Sequence, residues 1–158
     1  MTKAHAIIVA GGQGRRAGGE QPKQYQVLAG RPVLAWSAST FQAHPAIDQL
    51  VIVVPAGNER DVSALAGDGA RIVAGGATRT ASVMAGLSAL EGEAQDIVLI
   101  HDAARPGLAS DTIDQLLDAL GGADAAAPAL PVADALKRDR DGRLETVDRA
   151  ALYRVQTP

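Results

Sequence analysis

Three cationic side chains, Arg15, Arg16 and Lys23, lie within one glycine-rich stretch, AGGQGRRAGGEQPKQY at 10–25, directly behind the apolar run HAIIVA at 5–10. Glycines let backbone N–H groups approach phosphate oxygens without a Cβ in the way. Arginine grips two such oxygens in a fork, and lysine adds a mobile point charge. In phosphoryl or nucleotidyl transfer, negative charge builds on the equatorial oxygens and the leaving group. Placed cations are then the main catalytic device, and no protein nucleophile is needed. Either arginine alone could be a solvated loop charge, but the whole loop argues for a phosphate chain.

Two better-known glycine loops do not fit. Gly12-x-Gly14-x-x-Ala17 resembles a dinucleotide fingerprint, which needs a helix at the glycines and an acid about 20 positions on. Here Gly18, Gly19 and Pro22 interrupt that helix, and residues 33–36 contain no acid. A Walker loop fails because no Gly-Lys-Ser/Thr follows.

Two further stretches carry chemistry. HDAARP at 101–106 puts Asp102 just past a strand read at 96–100. There it could hold Mg²⁺ against a triphosphate, since this cation shares oxygen ligands with phosphates; a turn or N-cap aspartate is the plainer alternative. His101 reads as a packed residue rather than a base. Arg105 either meets an anionic substrate or anchors its loop. In GGATRTASV at 75–83, backbone groups near Gly76 could read a base edge. Ser82 could reach a ribose or phosphate, or could merely cap a helix.

These residues need a scaffold. HAIIVA at 5–10, QLVIVV at 49–54, RIVA at 71–74 and DIVLI at 96–100 read as strands. Helical patterns alternate with them at 32–43, 79–90 and 110–120. The second places Val83, Met84, Leu87 and Leu90 on one face, and the third offers Ser110 as N-cap and Asp111 at the positive end. Alternation of this kind specifies an α/β fold with a Rossmann-like, mainly parallel sheet. Ligands on such sheets sit at the carboxyl ends of the strands, which selects the loops at 11–23, 75–82 and 101–106. Farther on, KRDRDGRLE at 137–145 centres on Asp141-Gly142, a hairpin signal. Residues 131–152 are therefore expected to form an arm projecting from the sheet.

Composition sets the outer limits. The 158 residues fit one domain, and 47% hydrophobic with 21% charged residues describe a globular chain. A formal charge of −3 argues against a general nucleic-acid binder. With no cysteine there is neither a disulfide framework nor a thiolate metal site. No apolar stretch approaches a membrane span, and no signal peptide is visible, so a cytoplasmic location is expected.

Taken in order, AGGQGRRAGGEQPKQY, GGATRTASV, HDAARP, PVADALK and TVDRAALYRVQTP closely resemble the 2-C-methyl-D-erythritol 4-phosphate cytidylyltransferase family. The resemblance implies a nucleotide-diphospho-sugar transferase type of fold and transfer of CMP from CTP to methylerythritol phosphate with release of pyrophosphate. It implies that Ala10, Gly11, Gly12 and Gly14 surround the CTP phosphates, and that Arg16 and Lys23 neutralise the α-phosphate. Asp102 would bind Mg²⁺, and Gly76 and Ser82 would contact cytidine, with Arg79 beside them in the nucleotide site. Arg105, Asp134, Arg149 and Thr157 would serve the sugar phosphate, the arm at 131–152 interlocking two subunits of a homodimer. Ala135 departs from the pattern, standing where the family has a threonine hydroxyl. The family also continues past the QTP at 156–158, so residues 1–158 are expected to be one nucleotidyltransferase domain incomplete at its C-terminal end, fused in some bacteria to a cyclase. A pentitol (ribitol 5-phosphate) cytidylyltransferase and a CTP-binding unit without turnover are the competing expectations.

Overall fold

The segment AHAIIV, apolar on both faces, can be satisfied only in the middle of a sheet, and there it lies. The computed structural model describes residues 2–11 and 21–156. In chain order, β1 (Ala4–Val9) is followed by the short strands β2 (Val27–Leu28) and β3 (Arg31–Pro32), then α1 (Val33–Ala43) and β4 (Ile47–Val54). Next come α2 (Glu59–Ala66), β5 (Ala70–Ala74), α3 (Arg79–Ala89), β6 (Ile97–Asp102) and α4 (Ser110–Ala119). The chain continues through β7 (Ala129–Pro131), β8 (Lys137–Arg140), β9 (Arg143–Thr146) and β10 (Tyr153–Val155).

The main sheet has the order β5-β4-β1-β6, with every pairing parallel. This is the expected α/β, Rossmann-like arrangement. Starting from β1, the chain steps outward to β4 and β5, then returns to place β6 on the other side of β1. The strand order thus reverses beside β1, and the carboxyl ends of β1 and β6 flank a crevice suited to a ligand.

Side chains sort onto two faces. Ile8, Ile52 and Val54 pack with Leu34 and Phe41 of α1, Val62 of α2 and Ile113 of α4. On the opposite face Ile7, Val51 and Val53 pack with Ala89 of α3. The face expected for α3 is corrected: Ser82, Gly86 and Ala89 are its buried residues, while Met84 is 55% exposed. Small residues win because the helix lies very close to the sheet. A Cβ on Gly86 would stand 2.7 Å from Ile7 Cγ2.

Three local expectations are also corrected. No element is anticipated at 59–66, where α2 forms with only Val62 and Ala66 buried, too sparse a pattern to announce itself. Ser110 is the first residue of α4, and Ala109 holds the N-cap, while Asp111 lies in the first turn as anticipated. Strand β6 runs on to Asp102, because Val9 of β1 pairs with it and carries the ladder two residues farther.

The hairpin at 137–146 forms as anticipated. Arg140 pairs with Arg143, and Asp141 and Gly142 both have positive φ, 52° and 82°, the backbone of a two-residue type I′ turn. A second ladder, β7 with β10, closes its base. All residues of these four strands are exposed. Among the described residues no helix is long and apolar enough to cross a membrane.

Candidate active site

At the end of β1 the backbone of Ala10 is held from both sides. Its N–H donates to the Val53 carbonyl of β4 at 2.7 Å, and its carbonyl accepts from Gln24 Nε2, also at 2.7 Å. Gln24 is buried although Lys23, its neighbour, is exposed. Both belong to a 3₁₀ turn, Lys23–Tyr25, closed by the Tyr25 N–H to the Pro22 carbonyl at 3.0 Å. The two described edges of the glycine-rich stretch, Ala10–Gly11 and Lys23, are therefore tied together by one buried amide. Sequence reasoning missed Gln24, since an isolated glutamine beside a lysine carries no pattern of its own.

From β5 the chain enters Gly75 and Gly76, then α3. Thr78 caps the helix, its hydroxyl accepting from the Ala81 N–H at 3.0 Å. Capping is therefore done without Ser82, which is buried and donates from Oγ to the Gly76 carbonyl at 3.3 Å. A Cβ on Gly75 would lie 2.7 Å from that oxygen, and one on Gly11 3.8 Å from it. On Gly76 a Cβ would collide with the Ala81 methyl. Glycine is thus required at 75 and 76 for close approach, and the Ser82 hydroxyl marks where the loops after β1 and β5 converge.

Asp102, at the end of β6, gathers two arginines from different loops. Arg79 Nη2 lies 3.1 Å from Oδ1, and Arg105 Nε lies 3.6 Å from Oδ2. The same Arg105 donates from Nη1 to Gln156 Oε1 at 2.8 Å, which links the arm's base to the crevice. Of the two readings of Arg105, these contacts are those of a loop anchor. No group of three or more metal-ligating side chains gathers among the described residues. One hard carboxylate fits Mg²⁺ in its usual manner, held by one or two carboxylates and otherwise by phosphate and water oxygens.

His101 braces this turn from below. Its Nε2 is 3.1 Å from both Ser37 Oγ and the Arg105 carbonyl, and Phe41 meets the ring edge-on. Ser37 Oγ donates to the same carbonyl at 3.1 Å. Burial is the main force lowering the imidazole pKa from 6.5 to about 4, opposed by its bond to the Arg105 carbonyl. A neutral, packed histidine is what the sequence suggested.

A consequence for stability follows by linkage. Between pH 6.5 and about 4 the unfolded chain holds a proton on His101 that the folded chain lacks. Stability must fall as pH drops through that window, by about 3 kcal/mol from this group. Urea unfolding midpoints measured across this range should show the slope. His101→Gln, which keeps an N–H donor but cannot titrate, should flatten it, and an unchanged slope would refute the assignment.

The remaining expected residues divide. Asp134 is exposed on the arm, and Arg149 donates from Nη1 to the carbonyl of the adjacent Ala133, so these two are brought together. No hydrogen bond or ion pair among the described residues joins them to Asp102 or Arg79. Gly12, Gly14, Arg16 and Thr157 lie outside the described residues.

The chain as a whole is similar to known proteins. Residues 4–158 match the family described as IspD: 2-C-methyl-D-erythritol 4-phosphate cytidylyltransferase. A 2-C-methyl-D-erythritol 4-phosphate cytidylyltransferase of Cereibacter sphaeroides is 49% identical over 162 residues, covering 100% of this chain and 72% of the relative. A bifunctional enzyme IspD/IspF of Hyphomonas neptunium is likewise 49% identical over 163 residues, but this chain spans only 42% of its length. A crystal structure of 4-diphosphocytidyl-2C-methyl-D-erythritol synthase superposes with a TM-score of 0.80 at 32% identity, covering 100% of this chain and 74% of that one. With sequence and fold agreeing from β1 to β10, this chain belongs to the 2-C-methyl-D-erythritol 4-phosphate cytidylyltransferase family.

Proposed function

We propose that this chain carries out cytidylyl transfer from CTP to 2-C-methyl-D-erythritol 4-phosphate. A phosphate oxygen of the acceptor attacks the α-phosphorus of CTP in line. The bond to the β-phosphate oxygen breaks, and pyrophosphate leaves. The observation that carries this reading is the convergence of Gly11, Gly76, Ser82, Arg79 and Asp102 at the carboxyl ends of β1, β5 and β6.

Ala10, Gly11, Gly12 and Gly14 line the triphosphate, while Gly76 and Ser82 receive the cytidine, with Arg79 beside them on the nucleotide. Arg16 and Lys23 offset the charge that grows on the α-phosphate, the interaction that must strengthen in the transition state. Asp102 would hold Mg²⁺, which supplies further neutralisation of the triphosphate. Arg105, Asp134, Arg149 and Thr157 orient the acceptor phosphate. The arm at 131–152 pairs two chains as a homodimer, a role supported by its exposed hairpin strands β8 and β9 and by Leu144 at 69% exposure. The compartment consistent with a cysteine-free chain is the cytoplasm.

Ala135 leaves the acceptor phosphate one hydroxyl short of the family pattern, a loss that costs about 1.5–3 kcal/mol for a charged partner. A pentitol phosphate is therefore the acceptor to run in parallel. The test is pyrophosphate release from CTP and Mg²⁺, with methylerythritol phosphate and ribitol 5-phosphate offered separately to the 158-residue chain and to its longest natural form. Release with methylerythritol phosphate alone is expected. Release with ribitol 5-phosphate alone would reassign the acceptor. Silence from both forms with CTP still bound would make this a nucleotide-binding unit without turnover.

A further inference from the structure

Arg79 occupies a position that its own helix does not favour. It is the first residue of α3, at the positive end of the helix, and no acidic residue lies in that first turn. Its compensation comes from another loop, through Asp102 Oδ1 at 3.1 Å. The second carboxylate oxygen faces Arg105 at 3.6 Å. A divalent cation approaching Asp102 in this state meets a carboxylate already neutralised from two sides, and like charge around it. Arg79 and Arg105 are 55% and 45% exposed, so both have room to swing.

A phosphate chain at the start of α3 offers Arg79 a stronger anion than one carboxylate, with several oxygens and the help of the helix terminus. We propose that Arg79 is an exchange residue. Without nucleotide it masks Asp102, and with nucleotide it transfers to a phosphate and unmasks Asp102 for the metal ion. Nucleotide and metal therefore bind cooperatively, with the Arg79–Asp102 pair as the coupling element, and by linkage each raises affinity for the other equally. This rests on the cytidylyl-transfer reading for the identity of the nucleotide, but the masking itself rests on the ion pair.

Mn²⁺ is the probe, titrated into nucleotide-free protein and followed by the electron paramagnetic resonance of the free ion. Arg79→Gln should bind Mn²⁺ about tenfold more tightly than the parent chain, within the usual range of coupling. Adding Asp102→Asn to that variant should abolish the gain, and Arg79→Lys should give an intermediate value. A melting curve of each variant verifies that it is folded. In EDTA, Arg79→Gln should also weaken CTP binding. Equal Mn²⁺ affinity in the parent and Arg79→Gln would overturn the proposal, as would a gain that survives Asp102→Asn. A parent chain that binds Mn²⁺ as predicted but neither binds nor turns over CTP would sink the functional reading and leave the masking pair standing.

Discussion

Lys23→Ala is expected to lower kcat about 10³-fold, the scale seen when one placed charge donor is removed from a transition state. Its melting temperature should stay within about 2 °C of the parent, since an exposed side chain is worth at most about 0.5 kcal/mol. The contrast follows from how Lys23 is held. The backbone at this point is fixed by Gln24, whose buried amide reaches the Ala10 carbonyl, and by the Pro22–Tyr25 turn. Alanine leaves those anchors in place and removes only the ammonium group. Lys23→Arg should recover part of the rate, because charge returns with a different shape. An unchanged kcat in the alanine variant, measured by pyrophosphate release, would remove Lys23 from the mechanism.

The largest loss of stability is expected at a residue remote from the chemistry. Gly86→Leu should destabilise the fold by about 3 kcal/mol, lowering the melting temperature by roughly 6–12 °C. Even Gly86→Ala should be destabilising, although alanine favours a helix by about 1 kcal/mol over glycine. Its Cβ would stand 2.7 Å from Ile7 Cγ2 and 3.0 Å from Val53 Cγ2. Both neighbours are fully buried on central strands and cannot yield. Gly107→Ala, with open space around the added carbon, is the matched control and should change little. A Gly86→Ala protein that melts higher than the parent would show that α3 can lift from the sheet at little cost.

How far these features were readable from sequence depends on whether the signal was local. Continuous apolar runs gave β1, β4 and β6 because both faces of each strand are covered. The Asp141-Gly142 turn was readable because positive φ at both positions leaves few residue choices. The face of α3 was misread for a physical reason. Periodicity weights large apolar residues, whereas close packing selects Ser82, Gly86 and Ala89 and leaves Met84 outside. Site residues followed the same division. Asp102 and Ser82 stood out within motifs, while Gln24 and Ser37 act through bonds to the backbone of residues 14 and 68 positions away. Neither bond leaves a periodicity or a motif that a local reading of the chain could pick out.

The position of β1 bears on how the protein is made. It is made before both of its partners, β4 and β6, and its pairing is complete only when Val9 meets Asp102. At 5–20 residues per second, synthesis of the intervening chain takes roughly 5–20 s. Throughout that interval the nascent protein carries AHAIIV, an apolar segment with an unpaired edge, of the kind that aggregates when exposed. Translation speed between β1 and β6, and the chaperones that meet the growing chain, therefore bear on the yield of folded protein alongside the stability of the finished sheet.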